Sequence, residues 1–180
     1  MKRVLSYFVL GLAVLFYCSD ILAQPATGKV SEQMKNFNWM VGDWSGEAWY
    51  LGRDQKKTKI AQNEHIITRL DGALITMEGS GYDKPIGADN AKLVFQAFGI
   101  LTYDIASSKF VLRAYRGENF IDSDLIPNPN GSYTWSFEAS YVKTRYTITH
   151  TAEGKWNERG EQSRDGITWN QFFEMTLSKQ

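Results

Sequence analysis

Apolar and polar positions alternate along most of this chain, and turn residues interrupt the alternation at short intervals. From Asp43 the period is two, with Trp44, Gly46, Ala48 and Tyr50 on one side and Ser45, Glu47, Trp49 and Leu51 on the other. The same rhythm returns over residues 58–70, 73–82, 92–104, 109–118, 120–126, 132–139, 143–151, 155–163 and 168–177. Asp71-Gly72, the run Pro127-Asn128-Pro129-Asn130-Gly131 and Asp165-Gly166 punctuate these segments as turns. About ten strands in mostly meander order predict an all-β protein, a single antiparallel meander β-barrel. A barrel is chosen over a sandwich because a meander closes on itself and leaves no hydrophobic edge.

One stretch departs from that rhythm. Over Ser31 to Met40, with Ser31 as expected N-cap, Met34, Phe37 and Met40 fall roughly on one helical face, and Gly42 ends the turn. This predicts a short N-terminal helical plug. Phe37, Trp39 and Trp44 are expected to close one end of the barrel, the strand they lead into pairing with residues 168–177. Binding is then expected toward the other end.

Lys2 and Arg3 precede an apolar run over 4–17, and Ile21-Leu22-Ala23 stands before Gln24. This predicts a signal peptide over residues 1–23, cleaved near Ala23, and hence export to the periplasm or beyond. The run is shorter than the ~20 residues a membrane-spanning helix needs. Cys18 raises lipid anchoring as the minority alternative, but Tyr17 occupies the preceding position, where lipoprotein cleavage sites normally want a small residue. Residues 24–36 are expected to form a flexible lead and the start of the plug, and residues 37–180 the barrel domain. Cys18 is the chain's one cysteine, so the mature domain would lack disulfides, a thiol nucleophile and cysteine metal ligands. With 20 basic and 20 acidic side chains the charge is balanced, which argues against nucleic acid as a main partner.

The segment GDWSGEAW resembles the G-x-W opening of lipocalin-like barrels. Together with LDGALITMEGSGY, RYTIT and GKWNERGEQSRDGITWNQFFEMTL, it is similar to uncharacterised exported bacterial lipocalin-like proteins. The resemblance covers the chain from Phe37 onward and implies a calycin-type barrel with an internal cavity, without bringing a ligand or a catalytic set. The G-x-W-x-G-E opening also resembles that of nitrobindin-like barrels, which bind haem through a late histidine. Here that residue would be His150.

The residues themselves contain few chemical signatures. His65 and His150 are far apart and lack metal-ligand spacing, so neither a metal nor a resident cofactor is expected. There is no G-x-S-x-G. Glu158 and Glu161 have opposite parity and should not share a barrel face, whereas Glu161 and Glu174 can. The candidate lining of the interior is Trp44, Arg113, Tyr115, Trp135, Arg145, Glu161, Gln171 and Phe173. In this set an inward arginine would hold a ligand carboxylate. Parity defines two faces without naming the inner one, so Arg113 and Arg145 lying in water over exposed aromatics is the equal alternative. The leading expectation is an exported barrel that binds a small, mostly apolar or amphipathic molecule. The alternatives are an acid–base isomerase or cyclase on the same barrel, a haem protein, or a filled structural barrel.

Overall fold

The computed structural model describes residues 28–85 and 87–180. The expected signal peptide and residues 24–27 of the lead lie outside the described residues. Helix α1, Gly28–Met34, continues into a 3-10 turn over Lys35–Met40. Five strands follow: β1 Gly42–Leu51, β2 Lys57–Arg69, β3 Leu74–Tyr82, β4 Leu93–Asp104 and β5 Lys109–Arg116. Five more complete the barrel: β6 Asn119–Pro127, β7 Tyr133–Ala139, β8 Val142–His150, β9 Trp156–Ser163 and β10 Asn170–Lys179.

Each strand pairs antiparallel with the next, and β10 returns to pair with β1, closing the barrel. The closure places Gly46 opposite Leu177 and Ala48 opposite Met175. A Cβ on Gly46 would overlap the backbone carbonyl of Thr176, so this close approach requires glycine. The ten strands and the helical plug match the pattern expected from the alternation of the chain.

Burial identifies the inner face. Trp44, Ala48, Ile60, Gln62, Ile66, Leu112, Ile148 and Trp156 are all buried, so the even-numbered positions of β1, β2, β5, β8 and β9 point inward. In β10 the inward residues are odd, Met175 and Leu177, and a register shift between Gln171 and Phe173 places both Phe172 and Phe173 against Gly160.

The plug fills the end of the barrel bounded by the β2–β3, β4–β5, β6–β7 and β8–β9 turns. Phe37 sits edge-on to Phe110 at 4.9 Å and tilted against Tyr133 at 4.7 Å. Burial of such a ring contributes about 1.5–3 kcal/mol. Trp44 meets Trp156 edge-on at 5.9 Å, and its indole N–H donates to the Met40 carbonyl at 2.7 Å, so the buried donor is satisfied. Ser31 lies inside α1 rather than at its N-cap. Its hydroxyl donates to the Asp71 carbonyl at 2.9 Å and ties the helix to the β2–β3 turn. Trp39 closes the layer from outside, edge-on to Trp44 and Trp156 and stacked at 4.6 Å on His150.

Candidate ligand site in the barrel lumen

Immediately beyond the plug the lumen contains a cavity of about 110 Å³, lined by Met40, Met77, Leu112, Trp135 and Trp156 together with the carboxyl groups of Glu64 and Glu158. Its floor is the plug itself, so the candidate site lies mid-barrel and not at the open end. Alternation forces the two acids inward: Glu64 pairs with inward Trp44, and Glu158 with inward Met175. Room for the Glu64 carboxylate comes from Gly79 on β3, where a Cβ would lie 2.7 Å from Oε1.

Among the described residues, neither acid has a cationic partner. Glu64 Oε1 accepts from the Gln62 side-chain amide at 2.8 Å, and Glu158 Oε1 accepts from the Trp135 indole N–H at 3.2 Å. Both side chains are largely buried, Glu158 bordering the cavity and Glu64 bordering both the cavity and the outer groove. Burial therefore dominates their protonation. It pushes Glu64 up to about 7, with the Gln62 hydrogen bond opposing. It pushes Glu158 up to about 8, reinforced by the charge of Glu64 and opposed by the Trp135 hydrogen bond. The two carboxyls thus titrate as an interacting pair near neutrality. Above them Trp135 stacks on Tyr146 at 4.3 Å, and burial followed by the Glu158 charge raises the Tyr146 hydroxyl.

Two polar atoms in this interior are buried without a hydrogen-bond partner among the described residues: the Trp156 indole nitrogen and Gln62 Oε1. An orphaned buried donor or acceptor costs about 1–3 kcal/mol. Trp156 lines the cavity, so a polar molecule there can satisfy its indole nitrogen, whereas Gln62 Oε1 lies toward Gly81.

Of the eight lining residues expected from the sequence, Trp44, Trp135 and Phe173 face inward. Trp44 belongs to the floor, Trp135 to the cavity and Phe173 to the layer above. The other five lie on the outer wall. Arg113 forms a two-pronged pair with Asp122, both contacts at 2.6 Å, and lies 5.0 Å over the ring of Phe120. Tyr115 packs between Phe98 and Phe120 on the same face. Arg145 donates to Glu161 at 2.9 Å, Arg159 donates to the same carboxylate at 2.8 Å, and Arg145 lies 4.0 Å over Trp169. Gln171 lies opposite Glu161 and donates to Glu174 at 3.1 Å. These five find their partners on the outer wall because Phe110, Leu112, Thr144, Ile148 and Gly160 take the inward positions of β5, β8 and β9.

His150, the haem ligand of the alternative reading, lies flat on Trp39 at the closed end of the barrel. His65 pairs with Asp43 at 2.5 Å on the outer wall. Among the described residues no group of three or more His, Cys, Asp or Glu side chains is placed to hold a metal ion. A broad groove of about 1040 Å³ crosses the outside of β1 to β4 past Asp43, Asn63, His65, Ser80 and Gln96. Glu64 and Glu78 also border this groove, so Glu64 stands between it and the lumen, whereas Glu158 lines the lumen cavity.

Glu64, Gln62 and Tyr146 did not stand out in the sequence. The available signal was parity: Glu64 shares a face with Ile60 and Ile66, an acid interrupting an apolar row.

No family model matches the chain, and no curated protein matches it. Among solved structures, the chain is similar to the S-type phycobiliprotein lyase CPES of Guillardia theta. The TM-score is 0.56 at 10% identity, over 86% of this chain and 95% of that one. At that identity the likeness is one of fold alone, a closed antiparallel β-barrel.

Proposed function

We propose that this protein is a small-molecule-binding barrel whose ligand sits in the lumen against Glu64 and Glu158. The observation that carries the reading is the cavity itself, an apolar chamber with two convergent carboxyls and an unpartnered indole N–H, the composition expected of a ligand pocket. Its volume of about 110 Å³ limits the bound portion to a compact group. The rim at the open end supports an amphipathic ligand, since Tyr141 and Ile167 are 89% and 85% exposed at the tips of neighbouring hairpins.

Trp135 and Trp156 line the cavity, so binding is read directly by tryptophan fluorescence, with native mass spectrometry of the purified protein as a second readout. The expected result is quenching or a spectral shift by compact amphipathic molecules, with a one-to-one adduct. Silence in both measurements across such a panel overturns the reading.

The paired acids favour a second reading, acid–base catalysis on the bound molecule. Groups titrating at about 7 and 8 can donate and accept protons near neutral pH. In that case Glu158→Gln abolishes turnover of an identified ligand even when the ligand is saturating; turnover that survives this substitution and Glu64→Gln removes the reading. The export expected from residues 1–23 belongs to the same proposal and is tested by N-terminal sequencing of the protein made in a secreting cell. A mature chain beginning near Gln24 is the expected result, and an uncleaved N-terminus overturns it.

A further inference from the structure

We infer that the lumen is built for a compact organic cation, a protonated amine held between the carboxyl groups of Glu64 and Glu158. This rests on the small-ligand reading above and assigns it a ligand class.

The charge balance of the interior is the first reason. Among the described residues, no lysine or arginine lines the cavity that both acids enter. The nearest cations are committed elsewhere: Arg116 lies 5.2 Å over Phe95, and Lys179 lies 5.4 Å over Trp44 and donates to the Trp39 carbonyl at 3.3 Å. Two acids facing one apolar space without a counter-ion are unfavourable when charged, and a bound cation restores the balance. An anion or an acid-bearing ligand would meet like charge there.

Hydrogen bonding and shape give the second. An ammonium offers donors to both carboxyls that enter the cavity, one of which Gln62 already holds through its side-chain amide. The faces of Trp135 and Trp156 and the Met40 and Met77 side chains supply soft, polarisable walls suited to a cation with an apolar body. An engineered apolar cavity of about 150 Å³ accommodates benzene, so a space of about 110 Å³ suits roughly five or six heavy atoms.

Cation binding must displace whatever proton the pair carries. Besides the two acids, the titratable or charged inward groups near them are Tyr146 from β8, whose hydroxyl is raised and remains protonated, and Arg116 from β5, whose charge acts on Tyr146. The linkage therefore belongs to the pair.

The test uses the full chain and three five-membered rings of matched size: pyrrolidinium, tetrahydrofuran and cyclopentane. Titration calorimetry at pH 6, 7 and 8, in two buffers of different ionisation enthalpy, reads affinity and proton release together. The expected result is that pyrrolidinium affinity rises about tenfold per pH unit while one proton is displaced, and levels off above the pair's titration. The neutral rings show no such slope and bind more weakly at pH 8. Glu64→Gln and Glu158→Gln each reduce pyrrolidinium affinity at pH 8 by tenfold or more, whereas Arg113→Ala on the outer wall changes it less than twofold. The wild-type slope requires no variant to fold. If the neutral rings bind as tightly as pyrrolidinium at pH 8, or its affinity is flat with pH, the cation assignment fails while lumen binding stands. If no ring binds, both fail.

Discussion

Glu158 and Glu161 lie three residues apart on β9 and occupy opposite environments. Glu161 faces out and is held by Arg145 and Arg159 from its own and the neighbouring strand. Glu158 faces in, where its hydrogen-bond partner is the Trp135 indole and the nearest like charge is Glu64. The outer acid is part of a strut between strands, and its charge is useful where it stands. For the inner one charge is a liability until something positive arrives. Side-chain type and sequence distance are nearly constant between them, so the contrast arises from the pleat alone. Acids on the outer wall of this barrel are structural, and acids inside it are candidates for function.

The sharpest control on that contrast is a purely apolar position. Trp44→Ala removes the floor beneath the cavity and should cost about 3–5 kcal/mol in urea unfolding, by nearly the same amount at pH 5 and pH 9. Equal losses at both pH values show that the floor acts by packing. A loss that changed strongly with pH would mean that the plug and the acids are one unit.

The inner acids predict the opposite signature. Their folded values of about 7 and 8 lie above the unfolded carboxyl near 4.5, so the stability associated with their protonated forms is complete below about pH 4.5. It is lost as pH rises through 7 and 8. Wild-type unfolding free energy should therefore fall between pH 5 and pH 9 by on the order of 3 kcal/mol for one such group. The two contributions are coupled and do not simply add. Glu158→Gln or Glu64→Gln should flatten the profile and make the variant more stable than wild type at pH 9. A flat wild-type profile would show that both acids stay solvated.

The same contrast explains what the sequence revealed and what it concealed. The ten strands, the plug and the pairing of first and last strands were legible because alternation and turn residues are local signals. The opposite parity of Glu158 and Glu161 was also legible. Which parity faced inward in β5, β8 and β9 was not, and Arg113, Tyr115, Arg145, Glu161 and Gln171 were assigned to the lumen when they lie outside it. Arg113 sits between Leu112 and Ala114, so the apolar row beside it already marked the inner face. On β8 and β9 the inward residues Thr144 and Gly160 are polar or small, and no apolar row marked the lumen at the level of Arg145 and Glu161. Glu64 was hidden for a related reason: an acid between Ile60 and Ile66 reads as ordinary polar alternation until Gly79 opposite shows the space left for it.

Glu161→Gln tests the outer half of the comparison. Glu161 is buried between two half-exposed arginines, so the substitution leaves both short of a counter-charge and should cost about 2 kcal/mol, diminished by added salt. Ligand affinity in the lumen should be unaffected, because the side chain is on the other side of the sheet. A pH profile altered in the manner of Glu158→Gln would mean that the two faces communicate.

The smallest effect is expected at Arg113. Its pair with Asp122 has good two-pronged geometry, yet both side chains are nearly half exposed, at 46% and 47%. Solvent and salt screen such a pair, and ordering two side chains offsets much of its attraction, so Arg113→Ala should move the urea midpoint least of these substitutions. Part of that loss is packing, because the guanidinium also covers Phe120. A double-mutant cycle with Asp122→Ala separates the two: a coupling smaller than half of the single-variant loss leaves packing as the larger part. If instead Arg113→Ala abolished binding of a small acid, the inward-arginine expectation would be restored and the inner and outer faces of β5 would have to exchange, against the burial of Phe110 and Leu112.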